Sequence, residues 1–534
     1  MGKGKGSSMN VLLINLARMG DLVQITPVSQ GFVEELGARV TLLAPARYAD
    51  FARRLAGVEE VCGIEDAFLP GNGTVDVAEI YSRPEMIQCL TALKSRSFDL
   101  VVNLTHDELS TALAMAVGGK SIRGRFGFPG QIQVRGDALR YFYAILENRV
   151  MNSLNLCDLY RFGAGIRRGG RPVRMIPLEQ DRTAIRGLIN AASGKPRVIL
   201  HPGANHPHRR WPAERFGKLA QMLHADGTEV LILTGPGESS LGTEVQRASK
   251  GAAQIIPGPV PVELLPALLT EADLLITNDT GPLHIAASVG TPTVSLFLAM
   301  ARPQDTAPYA PGQMILETTE NCHPCPEYSE CEAPVCGNSI PVEAVYSTSR
   351  ARLNGSFPEP GEFAEHSGRY RVLVTRWDAD GLLTYDVLYN SSHHRTDLDR
   401  SDLWKPFWIS LFEGNRPDPA SIDKIRETVD LEGQRALLAI ATLTQGVLAR
   451  LSGEVLKDAD GNPLSIAALE DFALQEEKRS QSVKSILLPY RLEREALYAR
   501  GVDIVRSEAS SRFSRWIQTL IALSPDAVRE EVAA

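Results

Sequence analysis

The sequence contains no uncharged apolar run of about 18 residues, the length that a helix needs to cross a membrane. It also lacks an excess of basic residues, because 56 Lys and Arg stand against 64 Asp and Glu for a formal net charge of −8. Binding to nucleic acid depends on neutralising phosphates with Lys and Arg, so this balance argues against nucleic acid as the main partner. No apolar segment long enough for a signal peptide lies near the N-terminus, and we predict a cytoplasmic protein.

The chain of 534 residues is long enough for two or three domains, and its pattern indicates where they lie. Continuous apolar runs alternate twice with helical segments, which is typical of parallel sheets with right-handed crossovers. We therefore predict an α/β protein with two Rossmann-like doubly wound domains, at 9–170 and 190–345, that face a cleft. The predicted strands lie at 10–16, 39–44, 58–64, 99–104, 197–201, 229–234, 273–277 and 292–296.

After residue 350 the pattern changes, and we predict an additional, mainly helical domain over 350–534 with a small β element. Two apolar runs that flank Asp-Ala-Asp-Gly at 378–381 predict a β-hairpin. Amphipathic helices are predicted at 420–452 and 465–530. The role of this region is open: it could recognise an acceptor, drive oligomerisation or contact a membrane surface.

The segment 278–287, Asn-Asp-Thr-Gly-Pro-Leu-His-Ile-Ala-Ala, directly follows a predicted strand. Asp279 or Thr280 can cap the helix that begins here, and Pro282 fits its first turn. The unpaired amides and the positive dipole end of that helix would then face the carboxyl edge of a parallel sheet, where anions bind. A phosphate-bearing substrate is the first hypothesis.

Three segments together resemble the glycosyltransferase family 9 enzymes, the lipopolysaccharide heptosyltransferases. They are INLARMGDLV at 14–23, LHPGA at 200–204 with RRWPAERF at 209–216, and TNDTGPLHIAA at 277–287. The resemblance covers roughly 10–345 and leaves 350–534 outside it. It implies a GT-B fold, in which the first domain binds mainly the acceptor and the second binds a nucleotide-sugar donor, with ADP-heptose as the leading candidate.

Asp21 follows Gly20 just beyond the first predicted strand, at the cleft end of that strand. The resemblance places the catalytic base of the family at Asp21. Sugar transfer needs a carboxylate that takes the proton of the acceptor hydroxyl, and such general-base help contributes about 10²–10⁴-fold. Direct attack from the face opposite the leaving group would invert the anomeric centre. Alternatively, Asp21 merely caps the next helix, and both statements can hold.

Four residues are candidates for holding the donor diphosphate. Thr280 and Gly281 can offer backbone amides at the helix start, and His284, one turn further on, can donate to a phosphate or can be structural. The resemblance matches Arg209 to a family lysine that reaches the donor phosphates, although Arg210 stands beside it and a solvated basic loop is the alternative. We expect no metal to be essential for holding the diphosphate.

Two carboxylates are candidates for the sugar parts of the donor. Glu238 lies just beyond a predicted strand, where a carboxylate suits a ribose diol, although it could only favour the first helical turn through the dipole. Asp279 is a poor phosphate ligand because like charges repel, and the resemblance places it on the sugar hydroxyls.

A cluster of cysteines has the spacing C-x2-C-x5-C-x4-C, formed by Cys322, Cys325, Cys331 and Cys336. Four thiolates at short spacing can hold a tetrahedral metal, and soft sulfur favours zinc or iron. With all four positions filled by thiolates the site would be structural. Two disulfides are the alternative, which a cytoplasmic location disfavours.

Taken together, these observations predict an inverting glycosyltransferase that moves a sugar, with heptose as the leading candidate, to a glycan or protein hydroxyl. A nucleotide-sugar epimerase of similar architecture and a non-catalytic nucleotide-sugar-binding scaffold are the alternatives. The sequence leaves the acceptor, the oligomeric state and a peripheral association with the inner membrane open.

Overall fold

The computed structural model describes residues 8–69, 82–128, 132–145, 152–189, 194–325, 331, 334–363, 365–391, 405–406, 408–410 and 412–413. The chain forms two compact units. The first comprises Met1–Arg123 and Leu154–His394, and the second comprises Gly124–Ser153 and Arg395–Ala534. The first unit contains two lobes, each built on a mainly parallel sheet.

The first lobe has parallel strands in the order β3-β2-β1-β4, and the strands are β1 (Asn10–Ile14), β2 (Arg39–Pro45), β3 (Glu60–Ile64) and β4 (Leu100–Asn103). The central strand β1 is fully buried over Val11–Ile14, as its continuous apolar run predicts. The helices of this part are α1 (Met19–Gln24), α2 (Thr26–Leu36), α3 (Ala49–Ala52), α4 (Pro84–Lys94) and α5 (Glu108–Val117).

The helical segment predicted between β1 and β2 is divided into α1 and α2 at Ile25. Pro27 lies in the first turn of α2 and has no N–H to continue the hydrogen bonding of α1. The Thr26 hydroxyl donates to the Val23 carbonyl at 2.8 Å and so satisfies one of the groups freed at the break. The short α1 therefore ends close to the cleft edge of the sheet.

The second lobe has parallel strands in the order β9-β8-β7-β10-β11-β12, which is the doubly wound order that the sequence predicts. The strands are β7 (Arg197–His201), β8 (Glu229–Ile232), β9 (Gln254–Ile255), β10 (Leu274–Asn278), β11 (Thr293–Phe297) and β12 (Met314–Thr318). The helices are α9 (Ala213–Ala225), α10 (Ser239–Ala248), α11 (Leu265–Thr270), α12 (Gly281–Ser288), α13 (Pro303–Thr306), α14 (Cys336–Ser339) and α15 (Val342–Leu353). Trp211, which is fully buried, anchors this core by donating from its indole to the Ile340 carbonyl at 3.1 Å.

The predicted hairpin is present as β13 (Tyr370–Trp377) and β14 (Leu383–Asn390), but it does not stand apart from the second lobe. β13 pairs antiparallel with β12, so the hairpin extends the second sheet to eight strands. Its turn contacts the segment between the lobes, where the Gly170 amide donates to the Gly381 carbonyl at 2.7 Å. The hairpin, predicted as part of the additional domain at 350–534, thus belongs to the sheet of the second lobe.

The segment that joins the two lobes contains a helix that was not predicted from the sequence, α8 (Glu179–Leu188). Before it lies α7 (Leu156–Ala164), whose Asp158 is buried and accepts from the Tyr309 hydroxyl at 2.6 Å. The two lobes are therefore joined by buried polar contacts as well as by the chain itself.

In the second unit, the last three residues of β5 (Ser121–Phe126) pair antiparallel with β6 (Gln133–Arg135), which precedes α6 (Asp137–Ile145). Trp408 is buried and lies with its ring centroid 4.7 Å from that of Tyr141. The helices predicted at 420–452 and 465–530 lie outside the described residues. No helix of the described part of the chain is long and apolar enough to span a membrane.

A buried ion pair joins β12 to the added hairpin. Glu317 lies directly opposite Arg371, and its carboxylate accepts from the Arg371 guanidinium at 2.5 Å and from the His323 ring at 2.9 Å. Burial alone would raise the pKa of Glu317, but the charge of Arg371 and the hydrogen bond from His323 outweigh it and lower that pKa to about 2. Removing the Glu317 charge would leave a buried guanidinium without its partner.

We expect Glu317→Gln to lower the free energy of unfolding at pH 7 by about 3–5 kcal/mol, as measured by urea denaturation. The folded-state pKa of about 2 lies below the ordinary value of 4.5, so the pair stabilises the fold above pH 4.5 and loses this effect as the pH falls toward 2. The difference between wild type and variant should shrink over the same range. As a control, Glu59→Gln breaks an exposed pair with Arg39 and should change little.

Candidate active site

Helix α1 of the first lobe and helix α12 of the second lobe meet at their N-terminal ends. A β-carbon on Gly20 would lie 3.2 Å from Cδ2 of His284 and 3.3 Å from Cα of Gly281. A β-carbon on Gly281 would lie 2.6 Å from Cε of Met19. The absence of side chains at both positions lets α1 and α12 come into direct contact, which brings the carboxyl ends of β1 and β10 together.

Asp21 lies in the first turn of α1, where its Oδ2 accepts from the Arg18 amide at 3.1 Å. The side chain is partly buried, and burial raises the pKa of Asp21 despite the opposing Arg18 amide and the nearby His284, Arg18 and His106. The structure therefore contains the helix cap that the sequence offers as the alternative role of Asp21. It also places the same carboxylate against the second lobe, since His284 acts on it electrostatically.

His284 lies on α12 and is only 5% exposed. Its Nε2 lies 3.5 Å from Nε2 of Gln24 on the first lobe, while its Nδ1 is buried without a hydrogen-bond partner among the described residues. Burial lowers the pKa of His284, and Arg209 adds to this, although Asp279 and Asp21 oppose it. The ring is thus neutral near pH 7 and keeps one nitrogen available.

Thr280 is the N-cap residue of α12, in extended backbone geometry, but no side chain caps the helix. The Thr280 hydroxyl instead donates to the Asn278 carbonyl at 3.3 Å and lies 3.2 Å from the Thr277 hydroxyl. Pro282 occupies the first turn, as the sequence predicts, whereas neither Asp279 nor Thr280 makes the predicted side-chain cap. The start of α12 at Gly281 is therefore left without a competing side-chain acceptor.

Arg209 and Asp279 form an ion pair at this helix start. The Arg209 Nη2 donates to the Asp279 backbone carbonyl at 2.6 Å and to its Oδ2 at 2.5 Å, and the Thr306 hydroxyl donates to the same Oδ2 at 3.1 Å. The Nε of Arg209 is buried without a hydrogen-bond partner among the described residues. Arg210 is directed elsewhere, with two bonds to the Ala204 carbonyl at 3.0 and 2.8 Å. Of the two candidate arginines, Arg209 is therefore the one beside the helix start.

Glu238 follows β8, and its Oε2 accepts from the Gly235 amide at 2.8 Å. The carboxylate lies so close over Gly203 that a side chain there would collide with it. His201 is a neighbour whose pKa is lowered by burial, against the charge of Glu238. Glu238 thus lies at the carboxyl ends of β7 and β8, in a polar group distinct from the Arg209–Asp279 pair.

Asn278 holds the loops of this edge in place. Its Oδ1 accepts from the Trp211 amide at 3.0 Å, and its Nδ2 donates to the carbonyls of Pro202 and Gly203 at 2.9 and 3.1 Å. All these atoms are buried, so the bonds are strong constraints. The loop that carries Arg209 is therefore fixed against the end of β10.

The sequence reading did not single out Gln24, Thr306, His201 or His106 as parts of the site. Gln24 lies three residues after Asp21 on one helix, and that spacing could have indicated a shared face. His106 follows β4, the neighbour of β1, so the sheet order could have indicated it. No sequence pattern marks Thr306 or His201. Thr306 belongs to the site because it donates to Asp279, and His201 because the charge of Glu238 acts on it.

The four clustered cysteines are all free thiols, from the exposed Cys322 to the buried Cys336. Burial raises the pKa of Cys325, and the other three thiols raise it further, so the four sulfurs influence one another. Within the described residues no three His, Cys, Asp or Glu side chains form a group that could hold a metal ion. The predicted metal site therefore stays a prediction, and so does the expectation that the diphosphate needs no metal.

The chain matches known proteins over the same lobes. Residues 86–335 match the profile of glycosyltransferase family 9 (heptosyltransferase). The chain is 27% identical to an Escherichia coli lipopolysaccharide heptosyltransferase 3 over 212 residues, which is 39% of this chain and 62% of that protein. With the heptosyltransferase 3 of E. coli K12 it shares 24% identity over 290 residues, 52% of this chain and 79% of that protein.

A family 9 glycosyl transferase from Veillonella parvula DSM 2008 is similar in structure, with a TM-score of 0.53 at 18% identity over 65% of this chain and 98% of that one. That similarity concerns the fold, and it agrees with the predicted GT-B arrangement of two Rossmann-like lobes. The comparisons therefore support a heptosyltransferase-like protein of the glycosyltransferase family 9 type over these residues.

Proposed function

We propose that this protein is an inverting glycosyltransferase that transfers a heptose from ADP-heptose to a hydroxyl group, with Asp21 as the general base. The observation that carries the proposal is the contact between the lobes, where Gly20 of α1 packs against His284 and Gly281, and where the charge of His284 acts on the neighbouring Asp21. A base on one lobe and an anion-binding helix start on the other are the two parts that such a transfer needs.

In the proposed reaction the Asp21 carboxylate takes the proton of the acceptor hydroxyl, while the oxygen of that hydroxyl attacks the anomeric carbon of the sugar. The bond to the diphosphate breaks on the opposite face, so the configuration is inverted. The leaving diphosphate gains negative charge, and the backbone amides at the start of α12, the Arg209 guanidinium and the His284 ring are the groups near it that can stabilise this charge.

Asp279 has its charge compensated by Arg209 and is fixed by the Thr306 hydroxyl. A compensated carboxylate repels a diphosphate less than a free one does, and it can still accept from a sugar hydroxyl. We assign Asp279 to the transferred sugar and Glu238 to the ribose of the nucleotide. The acceptor is a glycan or a protein, and the names of the relatives favour a lipopolysaccharide-type glycan.

Incubation with ADP-heptose in the presence and absence of a heptose-free lipopolysaccharide core tests the class of reaction. A transferase releases ADP only with acceptor and yields a glycosylated product. Conversion of the donor alone to an epimer would identify an epimerase, and donor binding without any turnover would identify a scaffold.

We expect Asp21→Asn to lower kcat by about 10²–10⁴-fold, because Asn cannot take the acceptor proton. The Kd for ADP-heptose, measured by titration calorimetry, should change less than about threefold, because the amide side chain of this variant would retain an oxygen that can accept from the Arg18 amide.

Asp107→Asn is the matched control for the role of Asp21. Asp107 caps α5 by accepting from the Ser110 amide at 2.8 Å, and Asn is an equally good cap. Its kcat at saturating donor should stay near that of wild type. If folded Asp21→Asn protein retained full kcat, or failed to bind the donor, Asp21 would have no role as base.

The pH dependence of kcat/KM should show the titration of Asp21. Because burial raises the pKa of Asp21 above its ordinary 3.8, the active carboxylate form is lost at a higher pH than for an exposed Asp as the solution is acidified. We expect kcat/KM to rise with pH through an apparent pKa above 3.8 and then to level off. The residual activity of Asp21→Asn should lack this rise, and His284→Phe should keep it.

We also propose that Cys322, Cys325, Cys331 and Cys336 hold one structural zinc or iron ion. In support, Cys322, Cys331 and Cys336 each raise the pKa of Cys325 electrostatically, which requires them to lie near it. The Cys325 amide donates to the Ala299 carbonyl at 3.1 Å, which ties this loop to the end of β11. Both nitrogens of the adjacent His323 are engaged, with Ala299 and Glu317, which leaves sulfur as the ligand type.

Elemental analysis of the purified full chain should find about one zinc or iron per chain. Cys325→Ser should reduce this content strongly, and a chelator should lower the Tm of wild type but not of the variant. Cys89→Ser, outside the cluster, is the control and should retain the metal. Metal-free wild type, or a pair of disulfides counted by thiol titration, would contradict the proposal.

The cytoplasmic location, the absence of a nucleic-acid partner and a peripheral contact with the inner membrane stay predictions from the sequence.

A further inference from the structure

Gln24 connects the two lobes at the centre of the site. It lies on α1, is 1% exposed, and its side-chain nitrogen lies 3.5 Å from Nε2 of His284 on α12. Both side chains are buried, so neither is paired with bulk water. The contact is therefore a polar link between the helix that carries Asp21 and the helix whose start faces the donor.

The contact between Gln24 and His284, at 3.5 Å, can be a hydrogen bond in only one neutral tautomer of His284. The Gln24 amide nitrogen can only donate, so the Nε2 of His284 must accept and carries no proton. A neutral imidazole keeps one proton, which then resides on Nδ1. Burial lowers the pKa of His284, with Asp279, Asp21 and Arg209 as the charged groups around it, which supports the neutral ring.

The Nδ1 of His284 is then a buried N–H donor without a hydrogen-bond partner among the described residues. The Nε of Arg209 is a second such donor, on the residue paired with Asp279 at the same helix start. Two buried unpartnered donors at one place are costly unless a ligand accepts from them. An acceptor-rich anion such as a diphosphate fits both.

We propose that Gln24 is a positioning residue: it holds His284 in the tautomer with the proton on Nδ1, so that His284 donates to the diphosphate of the donor. This inference rests on the proposed function, because it needs a nucleoside diphosphate at the start of α12. It also means that the first lobe contributes to donor affinity through His284, without Gln24 contacting the donor.

The test is a double-mutant cycle on the binding of ADP, which contains the diphosphate but no sugar. Gln24→Met keeps the size of the side chain and removes the donor, and His284→Phe keeps a ring over Gly20 and removes both nitrogens. We expect each single variant to bind ADP about tenfold more weakly by titration calorimetry. The double variant should bind no more weakly than His284→Phe, because Gln24 acts only through His284.

Gln30→Met is the matched control. Gln30 is a buried glutamine on the neighbouring α2, and it donates to the carbonyls of Thr26 and Pro172 at 3.0 and 3.1 Å. Its replacement should leave the Kd for ADP unchanged even if it lowers Tm. If Gln24→Met weakened ADP binding equally in the His284→Phe background, Gln24 would have a purely structural role and the proposal would be overturned.

The ¹⁵N spectrum of His284, assigned by its disappearance in His284→Phe, gives an independent readout. We expect a protonated Nδ1 and an unprotonated Nε2 in wild type, and a mixture of tautomers in Gln24→Met. A proton on Nε2 in wild type would overturn the proposal. If wild type bound ADP normally and Gln24→Met had no effect, only this inference would fall, whereas absence of binding to any nucleoside diphosphate would remove the proposed function as well.

Discussion

The close approach of the backbones at Gly20 and Gly281 is the constraint on which the site depends. Gly20 lies in the first turn of α1, which follows β1, and Gly281 begins α12, which follows β10. Both strands lie in the interior of their sheets. Two positive helix ends therefore converge on one point, where they favour negative charge. Asp21 and His284 lie near each other because neither Gly20 nor Gly281 carries a side chain that would hold these two turns apart.

The charges of the two carboxylates near this contact are balanced in different ways. Asp279 is compensated by Arg209, while Asp21 is desolvated and surrounded by the groups that oppose the rise of its pKa. Arg209 lies on the second lobe, whereas Asp21 lies on the first. In the proposed reaction, this separation of charges across the contact between the lobes would keep the diphosphate apart from the base.

The sequence was sufficient to locate β1 to β4 in the first lobe and β7, β8, β10 and β11 in the second, because continuous apolar runs mark strands that are buried on both faces. It did not indicate β9 or β12. It did not reveal that β13 pairs with β12, since the partner of an edge strand is a long-range property that the hairpin pattern does not contain. The motif at 278–287 identified the helix start, and the structure differs from the prediction only in the absence of a side-chain cap. The choice between Arg209 and Arg210 required coordinates, because a short helical turn at Pro207–Arg209 sends adjacent side chains in different directions.

The contact between the hairpin turn and the segment joining the lobes has a consequence for how the chain can be divided. A β-carbon on Gly169 would lie 2.5 Å from the Gly381 carbonyl oxygen, so the two backbones fit together without room for side chains. The hairpin also covers the whole edge of β12, and an uncovered edge strand pairs readily with other molecules. A fragment that ended before the hairpin would therefore expose the edge of β12 and lose the bond between Gly170 and Gly381, so the residues up to Asn390 are part of the sheet of the second lobe.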